Sequence, residues 1–399
     1  MSLSNTPSSE RVHIGFFGLR NAGKSSLVNA VTGQELSVVS DVLGTTTDPV
    51  KKAMELLPLG PVVIIDTPGF DDTGTLGEMR VKKTRKVLAS VDIAVLVVDA
   101  QKGITDDDET LMGLFNERKI PFVIAYNKAD LAEIKPQNKN EILVSAKDNV
   151  NITELKELVA TQLKVKEEKF ILADLVNEGD TVVLVTPIDE SAPKGRLILP
   201  QQQTLRELLD LHCKPMLCQP QELKSTIENF KVKPKLVVTD SQVFGAVSKD
   251  VPEDIDLTSF SILFARYKGD LEALIKGAAT LKKLKDGDKV LISEGCTHHR
   301  QCGDIGTVKL PKWIKDFTGK EIDFSFTSGG DFPEDLSDYA LVVHCGGCML
   351  NNREMAYRIN SAKAEGTPIV NYGVLIAHVH GILKRSLSPF KNLNALLEE

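Results

Sequence analysis

Gly18-Leu19-Arg20-Asn21-Ala22-Gly23-Lys24-Ser25-Ser26 is the stretch that decides the fold of the first part of this chain. An apolar run, Val12–Phe17, precedes it, and a helix-like apolar segment follows it. A strand, a glycine-rich loop and a helix in this order form the context in which G-x-x-x-x-G-K-S binds phosphate. The two glycines permit a tight turn and a close backbone approach, and the loop N–H groups and the helix N-terminus face the anion.

The side chains of this loop predict a nucleotide phosphate site with a magnesium ion. The lysine places a positive charge at the β- and γ-phosphates, and the serine after it offers a hydroxyl to Mg²⁺. An ordinary glycine turn is the alternative, and the further motifs described below argue against it. The residues expected at the phosphates are Asn21, Ala22, Gly23, Lys24, Ser25 and Ser26.

The composition is that of a globular, mildly acidic protein. Hydrophobic residues make up 42% and charged residues 26% of the 399 positions, and the formal net charge is −7. This charge argues against a protein that mainly binds nucleic acid or a membrane surface. No apolar run approaches the length of a membrane span, and the first ten residues lack the apolar core of a signal peptide. We therefore expect a cytoplasmic protein without a nucleic-acid or membrane partner.

Three further motifs follow apolar strand-like runs. In Asp66-Thr67-Pro68-Gly69 the aspartate can hold Mg²⁺ through water, and Gly69 can turn its N–H toward a γ-phosphate. In Asn127-Lys128-Ala129-Asp130 the final carboxylate can accept from both the ring N–H and the exocyclic amine of guanine. Adenine presents the opposite pattern and would leave polar groups unpaired. Ser145-Ala146-Lys147 predicts a second loop beside the base, so the bound nucleotide is expected to be GTP.

The order of these motifs, with Gly44-Thr45-Thr46-Thr47 after the first, resembles translation-factor-class small GTPases, close to the TrmE and Era group. The resemblance covers about residues 10–168 and implies hydrolysis of GTP with Mg²⁺. It implies catalytic roles for Lys24, Thr46 and Gly69, with Ser25 and Thr46 on the magnesium ion. The residues that it assigns to the nucleotide outside the first loop are Asp66, Asn127, Lys128, Asp130, Ser145, Ala146 and Lys147.

Three positions refine the expected mechanism. Many GTPases place a water-orienting Gln after D-x-x-G, but Phe70 stands there, so another group must act on the water or on the transition-state charge. TrmE-like GTPases with an Asn in the phosphate loop use K⁺ in place of an arginine finger, and Asn21 occupies that position. K⁺-stimulated hydrolysis is therefore expected. Glu78 has the spacing of a TrmE-like catalytic Glu, with a solvated switch residue as the equal alternative.

The middle of the chain, residues 169–265, carries no catalytic motif. Apolar runs at 181–185 and 235–239 predict strands, with helix-like segments between and around them. Cys213 and Cys218 fit no common metal-ligand spacing, so we interpret them as packing cysteines.

The last part, residues 266–399, predicts a parallel α/β domain with a metal site. Apolar strands at 289–292 and 339–343 are followed by C-x-H and H-C-x-x-C, separated by 45 residues. Because the carboxyl ends of parallel strands meet at one edge of a sheet, the two motifs are expected to converge. An amphipathic helix is expected at 270–285. The motif residues are Cys296, His298, His344, Cys345 and Cys348.

The donor set favours an iron–sulfur cluster over zinc, and zinc over no metal. Structural zinc recruits four firm ligands in a small module. Three thiolates with an open fourth position suit a 4Fe–4S cluster with one exchangeable iron. His298 and His344 are the candidates for the fourth ligand, and the sequence does not choose between them or require either.

Joined to the GTPase motifs, this cysteine pattern resembles the HydF family of FeFe-hydrogenase maturation GTPases over the whole chain. The resemblance implies a scaffold that holds a 4Fe–4S cluster on Cys296, Cys345 and Cys348 and carries a precursor of the two-iron subcluster. Two radical-SAM maturases would help to build the precursor, and apo FeFe-hydrogenase would receive it. GTP would regulate these exchanges, and the middle domain would make the protein a homodimer or a higher oligomer.

The expected architecture is α/β throughout. It comprises an N-terminal P-loop GTPase domain (10–168), a central α/β dimerisation domain (169–265) and a C-terminal parallel α/β cluster-binding domain (266–399). One rival function is a TrmE/Era-type GTPase that acts on RNA or the ribosome and carries structural zinc, which the acidic charge disfavours. A second is a redox enzyme under GTPase regulation, but no radical-SAM C-x-x-x-C-x-x-C run and no dinucleotide fingerprint supports it.

Overall fold

The computed structural model describes residues 6–34, 49–70, 83–132, 134–163, 169–188, 197–295, 304–347 and 350–397. The chain divides into two compact units, Met1–Glu167 and Glu168–Glu399. Parallel strands alternate with helices in both units, which confirms the predicted α/β class. Across these ranges, no helix is both long enough and apolar enough to cross a membrane.

The first unit contains a six-stranded sheet in the order β2-β3-β1-β4-β5-β6, in which only β2 is antiparallel to its neighbour. Its strands are β1 (Val12–Phe17), β2 (Val50–Leu56), β3 (Gly60–Asp66), β4 (Ile93–Asp99), β5 (Phe122–Asn127) and β6 (Glu141–Leu143). Its helices with described bounds are α1 (Lys24–Thr32), α2 (Asp106–Glu117) and α3 (Ile152–Gln162).

Sequence and structure agree closely in the centre of this sheet. Every residue of β4 is buried, as expected for a parallel strand covered on both faces. Thr105 caps the start of helix α2. Its hydroxyl accepts from the Asp108 N–H, and the Asp108 carboxylate accepts from the Thr105 N–H. The acidic first turn predicted this start. Strand β2 was not predicted, because it lies at the sheet edge and is exposed at most positions, so it lacks an apolar run.

The second unit contains two parallel four-stranded sheets, in the orders β10-β9-β7-β8 and β12-β11-β13-β14. Their strands are β7 (Thr181–Val185), β8 (Lys214–Cys218), β9 (Leu236–Thr239), β10 (Asp256–Ser259), β11 (Lys289–Glu294), β12 (Asp323–Ser328), β13 (Leu341–His344) and β14 (Ile369–Asn371). The helices are α4 (Leu199–Asp210), α5 (Leu223–Glu228), α6 (Phe244–Asp250), α7 (Phe260–Lys268), α8 (Leu271–Ala279), α9 (Leu310–Thr318), α10 (Asn352–Ala364), α11 (Tyr372–Val379) and α12 (Leu383–Ser386).

One hydrophobic core runs through both sheets of this unit. It joins Leu184 of β7, Leu263 of α7, Ile275 of α8 and Val343 of β13. Helix α7 spans the predicted limit between the middle and last domains, so one helix belongs to both halves of the core. The domain limits themselves stay predictions.

Several elements of the second unit differ from the sequence expectation. The predicted helix at 270–285 is shorter, because α8 ends at Ala279 and a 3₁₀ turn, Thr280–Lys283, follows. Strands β8, β10 and β12 were not predicted. All three lie at sheet edges, where one side of the strand needs no partner and the apolar signal is weak.

A buried arginine ties the second of these sheets to helix α10. The Arg358 guanidinium is 0% exposed and donates to Ser293 Oγ (3.1 Å), to the Gly329 carbonyl (2.6 Å) and to Glu354 Oε1 (3.0 Å). It also lies over the Phe332 ring, 5.1 Å from the centroid. A fully buried charge persists only when it is paired in this way.

We expect Arg358→Met to lower the free energy of unfolding by about 3–5 kcal/mol, because it leaves the buried Glu354 carboxylate without its cation. Denaturant titration measures this loss. Arg206→Met is the matched control, since Arg206 pairs with Asp210 on an exposed helix surface and its loss should leave the midpoint unchanged. A midpoint for Arg358→Met equal to that of the control would contradict the assigned role.

Candidate functional site

The phosphate loop connects β1 to α1 and is shaped by two glycines with positive φ. Gly18 (φ 141°) lies so close to β4 that a Cβ would stand 2.2 Å from the Val97 carbonyl oxygen. Gly23 (φ 87°) has no space for a side chain, because a Cβ would stand 2.3 Å from Asn127 Nδ2. Only glycine fits both positions, as the G-x-x-x-x-G-K-S pattern requires.

Backbone carbonyls bind the lysine of the loop, and one carboxylate binds the serine that follows it. Lys24 is buried, and its Nζ donates to the carbonyls of Gly18 (2.9 Å) and Leu19 (2.7 Å). Ser25 Oγ donates to Asp66 Oδ2 (2.8 Å). The other oxygen, Asp66 Oδ1, is buried and has no hydrogen-bond partner in the described part of the chain. A hydroxyl beside an unsatisfied carboxylate oxygen is a donor set that suits Mg²⁺.

Asn127, at the end of β5, connects the phosphate loop to the second base loop. Its Nδ2 donates to the Ala22 carbonyl (3.0 Å), and its Oδ1 accepts from the Ala146 N–H (3.0 Å). The structure therefore brings the first, third and fourth motifs together at the carboxyl ends of the parallel strands, where open α/β sheets bind ligands.

Lys128 and Asp130 are each fixed by a partner. Lys128 has φ 73° and donates from Nζ to Asp99 Oδ2 at 2.6 Å. Burial raises the pKa of Asp99, but the hydrogen bonds from Lys128 and the Gln101 N–H, together with the nearby lysine charges, outweigh it, so that pKa lies below its ordinary value. Asp130 Oδ1 accepts from Ser145 Oγ (3.1 Å), and Lys147 Nζ lies 3.7 Å from Asp130 Oδ2. The carboxylate predicted to read guanine is thus held in place from two sides.

The switch residues are only partly described. Gly69 packs on the phosphate loop, where a Cβ would stand 3.1 Å from Arg20 Cα, and the Phe70 N–H donates to the Gly18 carbonyl (3.1 Å). The Phe70 side chain is 2% exposed and lies in the hydrophobic core, so it cannot orient water. Asn21 is exposed with φ 61°. Thr46 and Glu78 lie outside the described residues.

A second site lies at the carboxyl ends of β11, β13 and β14. Cys345 directly follows β13, its N–H donates to the Ser293 carbonyl (3.0 Å), and its Sγ accepts from the Gly295 N–H (3.0 Å). Gly295 immediately precedes Cys296, so the described chain leading into the C-x-H motif ends beside Cys345. Cys296, His298 and Cys348 lie outside the described residues, so their roles stay predictions.

Each glycine that precedes a motif cysteine is required by packing. A Cβ on Gly295 would stand 2.6 Å from Leu350 Cγ. Gly347 has φ 64°, and a Cβ there would stand 2.5 Å from Met355 Sδ. The contact of Gly295 with Leu350 lets the chain before Cys296 pack closely against the end of the second cysteine loop. The sequence shows a glycine directly before Cys296 and before Cys348. The prediction of the site used only the spacing of the cysteines and histidines and did not consider these glycines.

His344 and Cys345 face different partners. The His344 ring is buried, its Nδ1 donates to the Cys345 carbonyl (2.5 Å), and its Nε2 has no hydrogen-bond partner among the residues described. Burial and the nearby Arg358 charge lower the pKa of His344 to about 4, so the ring is neutral at pH 7. The Cys345 sulfur instead accepts from the Gly295 N–H. Successive side chains leave a strand on opposite sides, and the fourth-ligand role of His344 stays a prediction.

A hydrogen-bonded glutamate and tyrosine lie at the same edge of the sheet as Cys345. Glu294, the last residue of β11, is buried and accepts from the Tyr372 hydroxyl at 3.4 Å. Burial and the Glu294 carboxylate raise the pKa of Tyr372 well above its ordinary value, so its hydroxyl stays protonated. Gly306 covers the pair, since a Cβ there would stand 2.4 Å from the Tyr372 hydroxyl. Sequence reasoning missed this pair because neither residue belongs to a motif.

Comparison with known families divides the chain in three. Residues 13–128 match the family described as "50S ribosome-binding GTPase". Residues 171–269 match "Hydrogen maturase F dimerization domain", and residues 272–389 match "Hydrogen maturase F tetramerization domain".

Individual relatives match the chain only in part. GTPase Der of Nitratiruptor sp. is 30% identical over 171 residues, which are 42% of this chain and 36% of that protein. The tRNA modification GTPase MnmE of Acetivibrio thermocellus is 31% identical over 168 residues, 40% of this chain and 36% of its own. The chain therefore spans about a third of the length of these relatives. A solved probable GTP-binding protein engB matches over 100% of its length and 39% of this chain, at 24% identity and TM-score 0.32.

We expect Asp130→Asn to weaken GDP binding by roughly a hundredfold or more, because the amide offers only one acceptor oxygen and its NH₂ group opposes the exocyclic amine of guanine, which is left unpaired. The same change should allow xanthosine diphosphate to bind, and titration calorimetry with both nucleotides measures the exchange. Asp148→Asn is the control in the neighbouring Ser145 loop, where the Asp148 carboxylate accepts from Ser145 Oγ at 3.4 Å. Unchanged GDP affinity in Asp130→Asn would contradict its role as base reader.

Proposed function

The chain belongs to the hydrogen maturase F (HydF) family of hydrogenase maturation GTPases, and from this premise we propose that it is a GTP-hydrolysing scaffold for a metal cluster. It holds a 4Fe–4S cluster and a precursor of the two-iron subcluster, and it delivers that precursor to apo FeFe-hydrogenase. The observation that carries the proposal is Cys345, which lies at the carboxyl edge of a parallel sheet and accepts a backbone N–H from the residue before Cys296.

The GTPase half of the proposal rests on the phosphate loop. Lys24, held on two loop carbonyls, would exchange them for the β- and γ-phosphates of GTP. Ser25 and Asp66 would hold Mg²⁺, which neutralises phosphate charge when bound, and Thr46 would complete that set. Hydrolysis proceeds without a Gln at position 70, so Asn21 with K⁺, and Glu78, are proposed to act instead.

The cluster half rests on the donor chemistry at the second site. Cys345 supplies a thiolate, and backbone N–H donation to its sulfur is a contact that tunes iron–sulfur sites. The glycine before Cys296 removes the side chain that would meet Leu350 of the second cysteine loop, and the glycine before Cys348 permits a positive φ. The residues present therefore fit an iron–sulfur cluster on Cys296, Cys345 and Cys348, with His298 or His344 as candidates for the fourth position. When bound, the cluster offers one exchangeable iron.

The dimerization and tetramerization domain matches make the protein a homo-oligomer. We propose residues 169–265 as the dimerisation domain and residues 266–399 as the cluster-binding domain, which also carries the tetramerization match. The proposed partners are apo FeFe-hydrogenase and two radical-SAM maturases, in the cytoplasm, with GTP hydrolysis regulating the exchanges. The rival function on RNA with structural zinc is disfavoured because residues 171–389 match hydrogen maturase F families.

Anaerobic reconstitution with iron and sulfide tests the scaffold. We expect the wild-type protein to bind close to four irons and four sulfides per chain, about the content of one 4Fe–4S cluster, and to give its EPR signal when reduced. Cys345→Ala should lose both. Cys213→Ala is the matched control, because Cys213 is buried in the hydrophobic core of the same unit. If the wild-type protein bound zinc tightly and no iron, the scaffold proposal would be wrong, and the protein would be a GTPase that carries a structural metal.

We expect GTP hydrolysis to be on the order of tenfold or more faster in K⁺ than in Na⁺ at equal ionic strength, because K⁺ at Asn21 would supply the charge of an arginine finger. Phosphate release measures the rate. Asn21→Ala should abolish the difference between the two cations. Asn138→Ala is the control, since Asn138 bonds Glu141 on an exposed loop of the same unit. Equal wild-type rates in the two cations would remove K⁺ from the mechanism.

A further inference from the structure

A buried lysine lies against the second cysteine loop. Lys268, the last residue of α7, is 3% exposed. Its Nζ donates to the Gly347 carbonyl (3.2 Å) and to the Leu350 carbonyl (3.4 Å). The Leu350 N–H also donates to the Gly347 carbonyl (3.0 Å). The two carbonyls therefore bracket Cys348 in the sequence, and one ammonium group is bound to both of them.

The position of this ammonium group is costly and specific. A lysine is seldom buried, because its charge loses hydration there. The end of α7 and the two loop carbonyls supply negative partial charge that compensates for this loss. The loop in turn obtains two hydrogen bonds from a residue that the cysteine motif does not include.

The hydrogen bonds of Lys268 also join two segments of the chain that match different families. It lies in the segment that matches the dimerization domain, residues 171–269, whereas both of its carbonyl partners lie in the tetramerization match, residues 272–389. No sequence motif connects the two segments. The contact exists only because α7 belongs to the core of both sheets.

We propose that Lys268 is a positioning residue of the cluster site: its ammonium group holds the carbonyls of Gly347 and Leu350 and so brings a positive charge to the chain that follows Cys345. This inference rests on the proposed function. A positive charge near an anionic cluster favours the reduced state, since reduction adds an electron, so the residue raises the reduction potential. The dimerization segment thereby contributes directly to the cluster site.

The test separates the charge from the hydrogen bonds. Lys268→Met removes both, Lys268→Gln keeps a donor without charge, and Lys268→Arg keeps the charge. In the reconstituted full-length protein, Lys268→Met and Lys268→Gln should each shift the reduction equilibrium on the order of tenfold toward the oxidised cluster. This shift lowers the reduction potential by about 59 mV for one electron. Arg should stay near the wild-type potential. Lys276→Met is the control, because Lys276 is half-exposed on α8 and pairs with Glu272.

A second measurement does not need the cluster. In the metal-free protein, Lys268→Met should speed amide hydrogen exchange at residues 345–347 and 350, and Lys276→Met should not. A wild-type potential in Lys268→Gln, or an equally lowered potential in Lys268→Arg, overturns the charge role. Unchanged exchange in Lys268→Met overturns the positioning role. Failure of the wild-type protein to bind any cluster would instead refute the proposed scaffold, while the exchange result would still decide whether Lys268 holds the loop.

Discussion

Close approach of backbone to its neighbours at the carboxyl ends of parallel strands is the constraint on which both sites depend. At the phosphate loop, Gly18 packs on the Val97 carbonyl with no space for a Cβ. At the cysteine edge, Gly295 packs in the same way on Leu350. Parallel strands bring loops from distant sequence positions to one edge, but a ligand site forms only where those loops also meet. Glycine permits that meeting at the cost of backbone entropy, so rigid sheets must hold the surrounding chain.

The two sites use a buried lysine in the same physical way. Lys24 and Lys268 each place an ammonium group on two carbonyls of a ligand-binding loop. Carbonyls compensate a buried cation less well than a carboxylate or phosphate does. An anion that enters either loop would therefore compete favourably with these carbonyls for the ammonium group. At the phosphate loop that anion is a nucleotide, and at the cysteine loop the thiolates are the proposed counterpart.

Most residues of the candidate nucleotide site could be proposed from the sequence because the chemistry of this site is local. Each of its motifs contains both the strand end and the reacting side chain, so that Asn127 and Asp130 could be assigned before their contacts were known. Edge strands such as β12 escaped prediction because solvent, not packing, covers one side of them. Lys268, Glu294 and Tyr372 escaped because their roles come from contacts across many residues, and on its own helix Lys268 resembles any basic residue of a last turn.

The shared core of the second unit links the Lys268 contacts to the position of helix α7. Helix α7 packs its apolar residues, among them Leu263, into a core that also holds Val343 at the base of the cysteine strand. Its last residue, Lys268, then binds the cysteine loop itself. A rotation of α7 would therefore move the ammonium group and the strand together, because packed cores change between discrete arrangements and do not deform continuously. Since α7 belongs to the segment that matches a dimerization domain, the geometry at Cys345 and Gly347 is linked through this helix to that segment.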